Sequence, residues 1–129
     1  MAKFKEAVIL SPLEAYRQAA AANPQSAEAH ANLGWGFYGA DQFDQAVMEF
    51  NEALRLEPGH LEALYGLGLA RKCSGAKAEA ISAFTAAIEQ LSKIEDRMRG
   101  GVLRRLARGQ ISIIQTGEWK LASILGADA

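Results

Sequence analysis

The sequence predicts an all-α protein made of antiparallel helix pairs stacked side by side as a solenoid. Three observations carry this. The middle of the chain repeats itself, Ala27 mapping onto Leu61, a period of 34 residues (61 − 27). Within each copy the apolar residues fall three and four apart, the period of a helix face. Helix start and stop residues bound the segments: Ser11-Pro12, Asn23-Pro24 and Pro58-Gly59.

Residues 1–10 are expected to be a loose extension or a stub helix. Ser11-Pro12-Leu13-Glu14 starts the first clear helix, with Ser as N-cap, Pro in the first turn and Glu closing a capping box. Counted back from Pro24, Tyr16 and Ala19 hold the places that Phe50 and Ala53 hold before Pro58. Residues 1–26 are therefore expected to be an N-terminal half repeat, the second helix of a pair. Ser26 caps the next helix, roughly Ala27 to Gly39, where Leu33, Gly34 and Phe37 share one face. Its partner runs roughly from Gln42 to Leu56 and turns Phe43, Ala46, Val47, Phe50, Ala53 and Leu54 inward. Gly34 and Ala46 are small, so the two backbones approach closely. Asp41, and Gly75 in the second copy, suit a turn with left-handed backbone.

The second copy spans roughly Leu61 to Cys73 and Lys77 to Leu91, with Leu67-Gly68, Ala80, Phe84 and Ala87 in register. Arg71 replaces Phe37 there, and Ser92 replaces Pro58. Past Leu91 the pattern fades. Met98, Val102, Leu106 and Ile113 extend a stripe from Ile94, with Leu103, Ala107, Ile111 and Ile114 beside it. This predicts one long helix from about Ile94 to Gln115, stopped at Thr116-Gly117, whose first stripe covers the second repeat. A short final helix from Glu118 to Leu125 is expected to fold Trp119 back. The whole, residues 1–129, is one domain: half repeat 1–26, repeats 27–60 and 61–93, and a C-terminal capping helix and tail over 94–129.

Leu-Gly, then Ala, then Phe four residues on, then Pro, on this period resembles the tetratricopeptide repeat. The resemblance implies an interaction module without catalysis: an adaptor, scaffold or assembly factor that holds a peptide or helix of another protein in a concave groove. Carried over position by position, the groove residues are Glu28, Ala31, Trp35, Tyr38, Glu62, Tyr65, Leu69 and Lys72. Ala31, Trp35 and Gly66 stand where some family members grip a C-terminal carboxylate with Lys and Asn, so an apolar or helical ligand is expected instead. An exposed stripe with one Trp and two Tyr suits a binding hot spot; the other reading is that these rings pack under the C-terminal helix, which then fills the groove itself. The alternative is a self-assembling structural subunit, a homo-oligomer docking through Leu13 and Tyr16 at the half-repeat end.

Net charge near zero gives no global pull toward nucleic acid or membrane. The single Cys makes no internal disulfide. No apolar run approaches the roughly 20 residues that span a bilayer, and Ala7 to Leu10 is too short for a signal peptide core. A cytoplasmic protein is expected, with no cofactor and no metal.

Several features invite chemistry and are better explained by structure. Gly34 to Gly39 spells G-x-G-x-x-G, but no strand precedes it, and a dinucleotide site needs a strand-to-helix turn. His30 and His60 have no ligand-spaced partner; His30, where the family usually has Trp, is expected to pack between helices. Cys73 beside Lys72 lacks a base and is expected to be a small packing residue. Arg97, Arg99, Arg104, Arg105 and Arg108 form a basic cluster with no aromatic residue among them, which favours an acidic protein patch over nucleic acid. No nucleophile, base and acid constellation supports an enzyme.

Overall fold

The computed structural model describes residues 11–93 and 97–119, with residues 97–99 described as backbone alone. Residues 1–10 and the proposed final helix beyond Trp119 lie outside the described residues. The described residues form six helices and no strand: α1 (Pro12–Ala22), α2 (Ala27–Gly39), α3 (Phe43–Leu56), α4 (Leu61–Cys73), α5 (Lys77–Leu91) and α6 (Arg97–Thr116). Each packs on the next in sequence, and α2 also touches α4. This is an all-α helical-repeat solenoid, with α2/α3 and α4/α5 as its two complete hairpins.

Local chemistry explains the boundaries. The Ser11 and Ser26 hydroxyls accept hydrogen bonds from Glu14 N–H (3.2 Å) and Ala29 N–H (3.1 Å) and start α1 and α2. His60 does the same for α4, its Nδ1 accepting from Ala63 N–H at 3.2 Å. The turns inside the hairpins are built alike. Asp41 (φ 59°) and Gly75 (φ 85°) are left-handed. Gln42 N–H reaches back to the Phe37 carbonyl and Ala76 N–H to the Arg71 carbonyl, both at 2.9 Å. That pairing satisfies the last carbonyls of α2 and α4 and turns the chain into the second helix.

The core is a row of small residues with two large rings set into it. Ala46, Phe50, Ala53, Ala63, Ala70, Ala80 and Phe84 are completely buried. A methyl group on Gly34 would sit 2.8 Å from the Phe50 ring, and one on Gly66 would clash with the same ring from the α4 side. Phe50 therefore lies between a glycine of its own repeat and a glycine of the next. Gly68 receives Phe84 in the same way, at 2.6 Å.

The long C-terminal helix packs on α5, but on a different face from the one its apolar stripe predicts. Val102 is 47% exposed and Leu106 42%. Gly100 and Ala107 are buried instead, flanked by part-buried Leu103, Ile111 and Ile114. Small residues are buried on both helices, Gly100 and Ala107 on α6 and Ala83 and Ala87 on α5, which suits close approach of the two backbones. Side chains before Gly100, including Met98, are outside the description.

Candidate protein-binding groove

α2 and α4 lie side by side, and α6 stands beyond them as a third wall. Together with the inner side of α5 they enclose an open, mostly apolar cleft of about 500 Å³. Trp35 and Tyr65 form its floor, Leu61 and Leu91 its near edge, and Val102 and Leu103 the α6 wall. A second, more polar cleft of about 490 Å³ adjoins it across Trp35 and is edged by Glu28, Glu57 and Glu62.

The two aromatic floor residues are held from beneath. Trp35 meets Phe50 edge-on with centroids 5.3 Å apart, and Tyr65 meets Phe84 edge-on at the same 5.3 Å. Each groove ring thus rests on the core ring of its own repeat. Trp35 also meets Tyr38 at 5.7 Å. Both are half-buried rather than fully exposed, so the stripe is a floor and not a projecting ridge.

The eight groove residues expected from the repeat register do not share one space. Trp35, Glu62 and Tyr65 line the apolar cleft, and Glu28 and Ala31 the polar one. Ala31 is almost completely buried, against the expectation of an accessible position. The far end of the stripe is occupied by α6: Gln110 accepts from Lys72 Nζ at 2.5 Å and donates to the Tyr65 hydroxyl at 3.3 Å. Neither Tyr38 nor Leu69 lines either cleft. Tyr38 is 3.8 Å from Cys73 Sγ, and burial, then this contact, raises its phenol above the ordinary value and keeps it neutral. Cys73 is exposed at the end of α4 and not packed inside, a correction to its expected role.

Sequence reasoning missed Leu61, Leu91, Val102 and Leu103. A signal was there: Trp35, Leu69 and Leu103 are spaced at the repeat period (69 − 35 = 103 − 69 = 34), as are Gly66 and Gly100. α6 keeps the register of a third first-helix.

The remaining sites resolve simply. Leu13 and Tyr16 are half-buried and press on Gly36, the middle glycine of the G-x-G-x-x-G run, which lies wholly within α2. Arg17 sits over the Phe37 ring at 5.1 Å. His30 joins α2 to α3, its Nδ1 2.8 Å from Glu49 Oε1 and its Nε2 2.9 Å from the Pro24 carbonyl. Burial pulls its pKa down, but these two hydrogen bonds and the charges of Glu49 and Glu52 outweigh it, and the net pKa is raised. In the basic cluster, Arg104 donates to the Leu91 carbonyl at 3.1 Å and closes the end of α5. Arg105 is exposed and Arg108 half-buried; the side chains of Arg97 and Arg99 are outside the description. Among the described residues there is no cluster able to hold a metal ion, and no helix is long and apolar enough to cross a membrane.

Residues 32–93 match the family model described as tetratricopeptide repeat. No curated protein matches the chain.

Proposed function

Because the chain is a tetratricopeptide-repeat protein, of a family whose repeats mediate protein–protein interaction, we propose that it is a non-catalytic adaptor or assembly factor holding an apolar or helical segment of another protein in the α2/α4/α6 cleft. The observation that carries this is the cleft itself. It is open, about 500 Å³, mainly apolar, and floored by Trp35 and Tyr65, each braced on a core phenylalanine. Rigid aromatic rings with one face free lose little entropy on binding and dominate hot spots. Lys72 and Tyr65 are tied to Gln110, so the ligand is short or enters from the Leu61 end.

The test compares proteins captured from the native lysate by wild type and by Trp35→Ala, then measures the purified partner by calorimetry. Loss of about 2 kcal/mol of binding or more marks a hot spot. The ring also braces Phe50, so melting is followed in parallel, with Trp35→Phe as the milder variant. A partner bound equally by all three proteins overturns the groove reading. A wild type that forms a defined oligomer in light scattering, dispersed by Tyr16→Glu and not by Trp35→Ala, would replace the adaptor with a self-assembling subunit.

A further inference from the structure

At α6 a ring again lies on a helical glycine, seven residues further along the register than inside the hairpins. In α2 and α4 a glycine receives an aromatic ring from the helix that follows, Gly34 from Phe50 and Gly68 from Phe84. In α6 the glycine is Gly109, itself buried, and the ring laid on it belongs to Trp119. The chain is turned back for this by Gly117 (φ 78°). Ser112 Oγ donates to the Glu118 carbonyl at 2.7 Å, and Thr116 Oγ1 accepts from Glu118 N–H at 3.2 Å. Phe50 and Phe84 are fully buried, whereas Trp119 remains 46% exposed, beside Leu106 (42%) and Val102 (47%). Among the described residues no helix covers this face.

Its charge is one-sided. From Arg97 to Gly117 the sequence has five arginines and no acid; the nearest acids are Glu95 and Asp96 before it and Glu118 after it. The arginines lie toward the N-terminal part of α6 and none is in its last turn. That is the reverse of what the helix dipole favours; Arg104 is taken up by the Leu91 carbonyl, and Arg105 is the exposed one among the described side chains. Arg105 is exposed next to Leu106 and Val102, one helical turn apart.

The geometry points to a second docking site, adjoining the groove along α6: the face formed by Leu106 and Trp119 and rimmed by Arg105 takes an acidic amphipathic helix of another protein. Apolar residues of that helix cover Leu106 and Trp119, and a carboxylate of it pairs with Arg105.

The full chain is titrated into a labelled peptide of about 18 residues, five helical turns, with leucines along one face and glutamates elsewhere. A second peptide has lysine for every glutamate, and phosphatidylglycerol vesicles form a third arm. Anisotropy should show the glutamate peptide binding, the lysine peptide weaker by about tenfold or more, and affinity falling with salt. Arg105→Glu and Leu106→Glu should each weaken the glutamate peptide by about tenfold or more, while Trp35→Ala stays within about twofold of wild type. Both substituted residues are exposed, and circular dichroism checks the fold, with Arg105→Ser and Leu106→Ala as milder variants. Equal binding of both peptides, or no binding to the full chain, overturns the site. So does a glutamate peptide lost on Trp35→Ala but not on Leu106→Glu, which would place it in the groove. Arg105-dependent binding of vesicles without binding of the glutamate peptide would make the face a membrane contact instead. Leu106-dependent self-association would make it a contact between copies.

Discussion

Phe50 and Trp119 each lay a ring on a helical glycine, Gly34 and Gly109, yet Phe50 is fully buried and Trp119 is nearly half exposed. The difference lies behind the rings. Gly66 of α4 closes on the far side of Phe50, so two repeats share one side chain. Trp119 has α6 on one side, and among the described residues no second helix closes on its other side. The same local device is therefore a joint in the interior and a loose contact at the end. In a stacked array, what seals a residue is the neighbouring repeat as much as its own.

The comparison is broken most severely by removing the rings. Phe50→Ala should cost about 3–5 kcal/mol in urea unfolding, since the cavity is walled on both sides. Trp119→Ala should cost about 1 kcal/mol or less, because half of the ring is already in water. Equal losses would mean that the C-terminal end is sealed as tightly as the interior.

Adding a methyl group gives a sharper version with opposite signs. At Gly66 it meets a Phe50 ring that has nowhere to move, and Gly66→Ala should destabilise by about 1–3 kcal/mol. At Gly109 it meets the far end of the Trp119 ring, which can swing outward. There the gain in helix propensity, up to about 1 kcal/mol, should leave Gly109→Ala neutral or slightly stabilised in melting temperature.

The smallest expected effect concerns His30, which ties the hairpin of the first repeat together. Its folded pKa lies above the ordinary value of 6.5, so the imidazolium is favoured by folding. The resulting stability is complete below the ordinary pKa and is lost as pH rises through the raised folded value. Wild type should therefore lose up to about 1 kcal/mol relative to His30→Gln across that window. A stability difference independent of pH would show that the Glu49 contact is made by neutral histidine.

The helices were legible because their ends are local chemistry. Ser11 and Ser26 as caps, Asp41 and Gly75 as left-handed turns, and Pro58-Gly59 after α3 each act within a few residues. His60 as a cap escaped notice because imidazole is not a usual capping group. The face of α6 was misjudged for a physical reason. Hydropathy weighs Val102 and Leu106 heavily and Gly100 and Ala107 hardly at all, yet close packing on α5 needs the small residues. Of the groove, Trp35 and Tyr65 were legible from repeat register. Its closure by Gln110 was not, because a contact between residues 65 and 110 depends on the tilt of α6, which no spacing encodes.

The two-sided seat of Phe50 also sets the order in which the molecule comes apart. A side chain shared across a repeat boundary is a nearest-neighbour coupling in a one-dimensional chain, so α3 and α4 open together and last. The outer helices are each coupled on one side among the described residues and open first, as fraying from the tips inward. Amide protons of α3 and α4 should then exchange only through global unfolding. Those of α6 should exchange through openings that leave the hairpins intact, so the array carries a gradient of protection along its axis.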